Sequence, residues 1–174
     1  VGISGVGAIA EALAPKCKVF GMRVVGVSSA PRPVDGFDAM RASSELADAV
    51  RDFDFFVLLT PLTEKTRNSI DAGIFAAMKP SSFLINLARG GVVDEAALAE
   101  ALRTRRIAGA ALDVFTQEPL PADHPFWSMD NVIITTHQGG FCDVYIDYAW
   151  PTVEANMRCF LAGDPGRMVN VVPH

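Results

Sequence analysis

A glycine-rich turn between an apolar run and a helical stretch constrains the fold of this chain more than any other segment. Residues 5–10 read GVGAIA and have the form G-x-G-x-x-G/A. They follow an apolar run at residues 1–4 and open a helical stretch that we predict over residues 8–20. In a strand–turn–helix unit, such glycines allow a tight turn and the close approach of a pyrophosphate to the helix N-terminus. The motif predicts a dinucleotide-binding domain, with cofactor contacts from Gly5, Gly7, Ala8 and Ile9.

Strands and helices alternate along the rest of the chain. Apolar runs predict strands at residues 1–4, 23–27, 53–60, 83–87, 107–114 and 132–135. Helical spacing and cap residues predict helices over residues 8–20, 44–51, 71–78, 94–105 and 143–161. We expect an interruption at Pro15, and we expect Pro151 to bend or to start the last helix. This alternation predicts an α/β fold: a doubly wound parallel sheet of the Rossmann type, with helices on both faces.

The charge and the cysteines exclude several classes of protein. A net charge of −5 and a pI near 5.1 argue against a nucleic-acid-binding surface. No apolar run approaches the roughly 20 residues of a membrane span, and we expect no signal peptide. The cysteines (Cys17, Cys142 and Cys159) and the scattered histidines lack the spacing of a disulfide framework or a metal site. We therefore expect a reducing, cytoplasmic compartment and no bound metal.

The end of the second predicted strand bears on which dinucleotide binds. NAD sites usually have an acidic residue there, which bonds the ribose 2′-hydroxyl. Here the strand is followed by Ser28 and Ser29, and then by Arg32, with no Asp or Glu between. Small hydroxyls and an arginine suit a 2′-phosphate, so we predict NADP(H) rather than NAD(H). The alternative is that Arg32 is a solvated loop charge.

Chemically versatile residues follow three other predicted strands. Arg89 precedes two glycines after the strand at residues 83–87, and its planar fork of donors suits a carboxylate. Asp113 and Glu118 follow the strand at residues 107–114, where Asp113 is suited to bond a nicotinamide carboxamide and Glu118 to pair with a histidine. His137 follows the last strand. Taken singly, each of these has a plain structural alternative, as a turn, cap or packing residue.

Taken together, these segments resemble the D-isomer-specific 2-hydroxyacid dehydrogenases. The resemblance rests on the glycine turn, on residues 59–63 with Thr66, and on residues 78–80, 86–94, 112–119 and 136–140. It implies that Arg89 binds the substrate carboxylate and polarises the carbonyl, and that His137 is the general acid/base. It also implies that Glu118 holds the imidazole and favours its charged form.

The resemblance extends to the cofactor site and marks several departures from the family. Further cofactor contacts are expected from Thr60, Pro61, Thr66, Leu87, Ala88, Asp113, His137 and Gly139. Ala8 stands where many relatives carry arginine, and Thr136 stands where they usually have proline. Ala8 removes one expected pyrophosphate contact, and Thr136 leaves the backbone before His137 less constrained.

The family pattern also sets the expected domains, substrates and partners. We assign residues 1–144 to the dinucleotide-binding domain and residues 145–174 to a C-terminal return towards a substrate domain that this chain does not contain. The chain is therefore expected to be part of a longer protein and to turn over little substrate alone. The resemblance implies reduction of 2-oxo acids such as glyoxylate or hydroxypyruvate, and a cytoplasmic homodimer without nucleic-acid or membrane partners. The alternatives are a dinucleotide-sensing regulator of the corepressor type, or action on phosphite or formate.

Overall fold

The computed structural model describes residues 1–171 and contains a parallel sheet of seven strands within them. The strands are β1 (Gly2–Ser4), β2 (Val25–Ser28), β3 (Ala39–Ala42), β4 (Phe55–Leu58), β5 (Phe83–Asn86), β6 (Gly109–Leu112) and β7 (Val132–Ile134). Their order in the sheet is β3-β2-β1-β4-β5-β6-β7, and every neighbouring pair is parallel. The strand order reverses direction between β1 and β4, which is where open α/β sheets bind ligands. The predicted doubly wound parallel sheet is confirmed.

The helices follow the predicted positions with shorter bounds. They are α1 (Ala8–Val19), α2 (Leu46–Ala49), α3 (Ala72–Ala77), α4 (Glu95–Arg103) and α5 (Tyr145–Leu161). Short 3-10 turns span Ser43–Glu45, Val50–Asp52, Gly90–Val92, Pro125–Ser128 and Pro165–Arg167. Asp71 and Asp94 cap α3 and α4, because each carboxylate accepts a hydrogen bond from the backbone N–H three residues later. The expected interruption at Pro15 was wrong, because α1 continues through it, and Pro151 lies inside α5 rather than at its start. The expected bend at Pro151 stays a prediction.

The strand β3 was missed in the sequence. It pairs with β2 at the edge of the sheet, in the register Val25 to Ala39. Its residues are half-buried or exposed. An edge strand of this kind lacks the continuous apolar run that marks a strand buried on both faces.

Two apolar clusters cover the two faces of the sheet. On β4, Phe56 and Leu58 belong to one cluster and Val57 to the other, since alternate side chains of a strand point to opposite faces. Helix α1 contributes Ala10 and Ala14 to the cluster of Val57. Helices α2, α3 and α4 contribute to the larger cluster on the opposite face. Helices therefore cover both faces, as the sequence predicted.

The chain divides into two compact units, residues 1–137 and residues 138–174. The first unit holds the whole sheet. In the second, Asn156 on α5 holds Val169 by two hydrogen bonds, to its carbonyl oxygen at 2.8 Å and from its N–H at 2.9 Å. The predicted domain boundary at residue 144 stays a prediction, and residues 172–174 of the predicted return segment lie outside the described residues. Within residues 1–171, the helices are too short or too polar to cross a membrane.

Candidate active site

The predicted site residues of the first unit lie along the carboxyl edge of the sheet. Backbone hydrogen bonds just past the strand ends hold these loops to one another. The Leu59 N–H donates to the Ser4 carbonyl at 2.7 Å, and the Asp113 N–H to the Asn86 carbonyl at 3.0 Å. The His137 N–H donates to the Asp113 carbonyl at 2.8 Å. The strand ends therefore present their loops side by side, on one rigid scaffold.

The glycine turn after β1 leaves room for a ligand at the start of α1. Gly5 has a φ of +90°, and a Cβ there would lie 2.5 Å from the Thr60 nitrogen, so the turn requires glycine. At Gly7, by contrast, a Cβ would meet no other part of the described chain within 4 Å, apart from Gly7 itself and the adjoining backbone. Gly7 is the N-cap of α1 and provides no side-chain hydrogen bond. The open space and the backbone N–H groups of the first helical turn fit a pyrophosphate.

The predicted 2′-phosphate residues lie at the end of β2 and just beyond it, and Arg32 contacts the first helix. Arg32 donates from Nη2 to Oε1 of Glu11 at 3.0 Å, and both side chains are substantially exposed. The Ser28 hydroxyl accepts from the Ala30 N–H at 3.3 Å. Glu11 was not predicted as a partner, because it lies 21 residues away in the chain. The pair holds the Arg32 guanidinium beside α1, and its remaining donors suit a phosphate.

The loop after β4 is braced by hydroxyl groups. The Thr60 and Ser4 hydroxyls lie 2.9 Å apart, which ties this loop to the end of β1. The Thr66 hydroxyl donates to the Pro61 carbonyl at 2.7 Å and accepts from the Thr63 N–H at 2.7 Å. Thr66 therefore closes its own loop and fixes the position of Pro61.

Arg89 is presented by a buried asparagine that the sequence interpretation left without a role. Asn86 is 1% exposed; its Nδ2 donates to the Arg89 carbonyl at 3.2 Å and its Oδ1 accepts from the Ala88 N–H at 3.0 Å. Arg89 itself is exposed and donates from Nη1 to the Ala88 carbonyl at 2.6 Å. A guanidinium has five N–H donors, so it retains donors for a carboxylate. Asn86 could have been singled out in the sequence, because it is a polar residue at the end of a buried strand.

Glu118 and His137 form a hydrogen-bonded pair. The His137 Nδ1 lies 2.7 Å from the Glu118 Oε2, and the other carboxylate oxygen accepts from the Phe115 N–H at 2.9 Å. The hydrogen bond from His137 is the main cause that lowers the pKa of Glu118, and the Phe115 N–H lowers it further against the opposing effect of burial. Glu118 is therefore held ionised, which fixes a proton on Nδ1 and leaves Nε2 for a ligand.

His137 adopts a backbone conformation that few residues adopt. Its φ is +56°, in the left-handed region. For a residue with a side chain this costs on the order of 1–2 kcal/mol, and residues so held cluster at functional sites. The contacts at Asp113 and Glu118 hold it there.

Two other predicted cofactor residues have distinct surroundings. Asp113 is 4% exposed, and its carboxylate accepts from the Thr135 hydroxyl. That bond ties the end of β6 to the residues that lead to His137. Gly139 belongs to the second compact unit. The predicted contacts of Asp113 with a nicotinamide and of Gly139 with the cofactor stay predictions.

The lowered pKa of Glu118 makes its contribution to stability pH-dependent. A carboxyl whose pKa is lower in the folded chain stabilises the fold above its ordinary value of 4.5, and the contribution is lost as the pH falls through the lowered value. We expect Glu118→Gln to reduce the melting temperature at neutral pH and the difference to shrink below pH 4.5. Calorimetry across this range, with the exposed Glu64→Gln as control, measures it. A difference independent of pH contradicts the assignment.

Comparison with known proteins identifies the family. Residues 1–139 match the family described as D-isomer specific 2-hydroxyacid dehydrogenase, NAD binding domain. A glyoxylate reductase of Thermococcus onnurineus is 41% identical over 171 residues, covering 98% of this chain and 51% of that protein. A D-3-phosphoglycerate dehydrogenase of Methanocaldococcus jannaschii is 35% identical over 175 residues, covering 100% of this chain and 33% of that protein. The chain thus spans a third to about half of the length of these relatives.

Solved structures agree with this assignment. A D-isomer specific 2-hydroxyacid dehydrogenase from Xanthobacter autotrophicus Py2, in complex with NADPH and MES, superposes with a TM-score of 0.91 at 37% identity, covering 99% of this chain and 70% of that chain. An NADPH-dependent glyoxylate/hydroxypyruvate reductase from Sinorhizobium meliloti, in complex with NADP and sulfate, gives a TM-score of 0.88 at 34% identity, covering 98% and 54%. Sequence family and fold therefore coincide. This chain belongs to the D-isomer specific 2-hydroxyacid dehydrogenase family, and its first 139 residues are the NAD binding domain.

Proposed function

We propose that the protein is a nicotinamide-dependent oxidoreductase that interconverts a 2-oxo acid and the corresponding D-2-hydroxy acid. The observation that carries this proposal is the Glu118–His137 pair, 2.7 Å apart and on the same sheet edge as Arg89 and the glycine turn. At this edge, Arg89 is a cation suited to bind an acid group, and His137 is a proton donor for a carbonyl oxygen. The glycine turn is suited to bind a dinucleotide. The names of the relatives favour small substrates such as glyoxylate and hydroxypyruvate.

Arg89 binds the carboxylate of the substrate. Its side chain is exposed at the sheet edge, and Asn86 fixes the backbone on both sides of it. The guanidinium donates to the carboxylate oxygens and orients the adjacent carbonyl. Its charge also stabilises the negative charge that develops on the carbonyl oxygen during reduction.

His137 supplies the proton. With Nδ1 bound to the ionised Glu118, the Nε2 of the imidazolium donates to the carbonyl oxygen of the substrate. In the reverse direction Nε2 accepts the hydroxyl proton, and Glu118 stabilises the charge that forms on the ring. The nicotinamide ring, when bound, supplies or accepts the hydride.

The cofactor residues fit a dinucleotide, and we propose that it is NADP(H). The open space at Gly7 and the uncapped start of α1 suit the pyrophosphate. Arg32, held beside α1 by Glu11, and the hydroxyls of Ser28 and Ser29 suit a 2′-phosphate. Leu87, Ala88, Asp113 and His137 are the residues that would hold the nicotinamide end. The similar structures from Xanthobacter autotrophicus Py2 and Sinorhizobium meliloti are complexes with NADPH and NADP, respectively, which supports this proposal.

Replacing Arg32 tests the cofactor preference. Hydrogen bonds to charged groups contribute about 1.5–3 kcal/mol, so we expect Arg32→Ala to weaken NADPH binding roughly tenfold or more. NADH binding should be unchanged, because NADH has no 2′-phosphate. Calorimetric titration with both cofactors measures the effect. Arg51→Ala, which removes another exposed, ion-paired arginine, is the matched control. Equal weakening of both cofactors, or a wild-type preference for NADH, contradicts the proposal.

The direct test of the reaction is a substrate panel. The whole protein is assayed with NADPH and NADH against glyoxylate, hydroxypyruvate and larger 2-oxo acids. In the oxidising direction, phosphite and formate with NADP⁺ or NAD⁺ complete the panel. Reduction of 2-oxo acids is the expected result. Cofactor binding without turnover of any panel member contradicts the proposal and favours a regulatory protein. Cytoplasmic location and a homodimer stay predictions.

A further inference from the structure

One peptide plane connects the Arg89 segment with the Glu118 segment. Gly90 packs against the peptide between Phe115 and Thr116: a Cβ on Gly90 would lie 1.9 Å from the Phe115 carbonyl carbon and 2.2 Å from the Thr116 nitrogen. Gly90 is buried and adjoins Arg89. The two segments therefore touch through backbone atoms, without a side chain between them.

A second carboxylate holds the same peptide. Glu95, the first residue of α4, accepts a hydrogen bond at Oε1 from the Thr116 N–H at 2.6 Å. The preceding residue, Asp94, is committed to capping the helix through its bond with Ala97. Glu95 therefore reaches out of its own helix to a loop 21 residues further along the chain.

Consecutive backbone donors are thus bound by two different carboxylates. The Phe115 N–H donates to Glu118, and the Thr116 N–H donates to Glu95. The first bond orients the carboxylate that holds His137, and the second ties that turn to α4 and hence to the segment of Arg89. A shift of the 115–118 turn relative to α4 would move Glu118 away from Arg89 and from His137, because the Asp113 carbonyl holds the His137 N–H independently of this turn.

We infer that Glu95 is a positioning residue for the reaction, which sets Glu118 relative to His137 and Arg89 through its bond with the Thr116 N–H. The inference rests on the proposed function only for its kinetic consequence. Glu95 also lies in the first turn of α4, where any acidic side chain interacts favourably with the helix dipole. A role limited to the dipole depends on the charge, whereas the inferred role depends on the reach of an oxygen acceptor.

Two conservative variants of Glu95 distinguish the effect of its charge from the effect of its side-chain length. Glu95→Gln loses the charge and keeps an oxygen acceptor at the same distance. Glu95→Asp keeps the charge at the helix start and is one methylene too short to hold Thr116. Glu100→Asp makes the same shortening on an exposed, ion-paired residue of the same helix and is the matched control. All three changes are small enough to leave the buried core untouched.

The first measurement is an NMR titration of the Glu118 carboxyl carbon in the 174-residue chain. The groups that act on this carboxyl are His137, the Phe115 N–H and Arg89. We expect the pKa of Glu118 to rise towards its ordinary value in Glu95→Asp and to stay low in Glu95→Gln and Glu100→Asp. This readout does not depend on turnover, so it decides the inference even if the proposed reaction is wrong.

The second measurement is the steady-state kinetics of the whole protein. Small misplacements of catalytic groups have large costs, so we expect Glu95→Asp to lower kcat about tenfold with unchanged cofactor affinity. Glu95→Gln should stay close to wild type. Wild-type behaviour of Glu95→Asp in either measurement, or a larger effect of Glu95→Gln than of Glu95→Asp, overturns the inference.

Discussion

Replacing His137 with asparagine should lower turnover about 10²–10⁴-fold and leave cofactor binding unchanged. The imidazole is held by an ionised carboxylate and can present its second nitrogen to substrate. Asparagine cannot act as an acid or base at ordinary pH. It does retain a donor for Glu118, so the carboxylate keeps a partner. The loss is therefore expected in the proton transfer step.

Asparagine is also compatible with the backbone conformation at position 137. His137 has a φ of +56°, and asparagine tolerates the left-handed region better than most residues with a side chain. An alanine or a β-branched residue would mix backbone strain with the loss of the proton donor. The asparagine variant should therefore unfold at a temperature close to that of the wild type.

A second histidine provides the control for this variant. His124 accepts the Phe126 N–H through Nδ1 at 3.3 Å, and asparagine is itself a good capping residue. His124→Asn should therefore retain full turnover. The measurements are kcat with saturating cofactor and calorimetric titration of the cofactor. Turnover by His137→Asn within a few-fold of wild type rules out the assignment of His137 as the acid.

The order of strands, helices and caps was predictable because each has a local cause. Strands of the sheet interior, such as β4 and β5, have continuous apolar runs, and each lies within its predicted run. Asp71 and Asp94 were readable as caps because the residue type and the first helical turn lie within a few positions. The glycine turn was readable for the same reason. The predicted strand ends at residues 60 and 114 were two residues too late in both cases, at Leu58 and Leu112.

Pro15 and the edge strand show where local signals mislead. Pro15 was expected to interrupt α1, yet the helix continues through it, anchored on the sheet by Ala10 and Ala14. Tertiary packing of the apolar face outweighs the missing hydrogen bond. Strand β3 exists because β2 offers it an edge to pair with, and not because its own four residues favour a strand.

The candidate site divides in the same way. Arg89, Glu118 and His137 could be singled out in the sequence because each follows a strand, and parallel strands bring their carboxyl ends to one edge. The contacts that support these residues could not be predicted from the sequence. Glu11 with Arg32, and Glu95 with Thr116, are pairs of residues 21 positions apart whose meeting depends on how segments pack. Residue type and spacing in the sequence do not predict such contacts.

Arg89→Lys should lower kcat/KM for a 2-oxo acid about 10²–10³-fold, which is the usual cost of removing one aligned donor from a developing oxyanion site. Lysine keeps the positive charge and loses the planar fork that binds a carboxylate through two parallel bonds. Asn86 bonds only to the backbone around Arg89, so the loop should hold its shape in the variant. Cofactor affinity should not change, and Arg67→Lys, an exposed arginine that pairs with Glu64, is the control.

The substrate itself separates the two roles assigned to Arg89. If the guanidinium binds the carboxylate, the loss in Arg89→Lys should be large for glyoxylate and small for methylglyoxal, whose carbonyl lacks a neighbouring acid group. If it acts mainly on the carbonyl oxygen, both compounds should lose rate equally. We expect the first pattern, because Arg89 already donates to the Ala88 carbonyl at 2.6 Å and is thereby oriented to present its remaining donors as a fork. Wild-type kcat/KM for glyoxylate in Arg89→Lys would remove Arg89 from the site altogether.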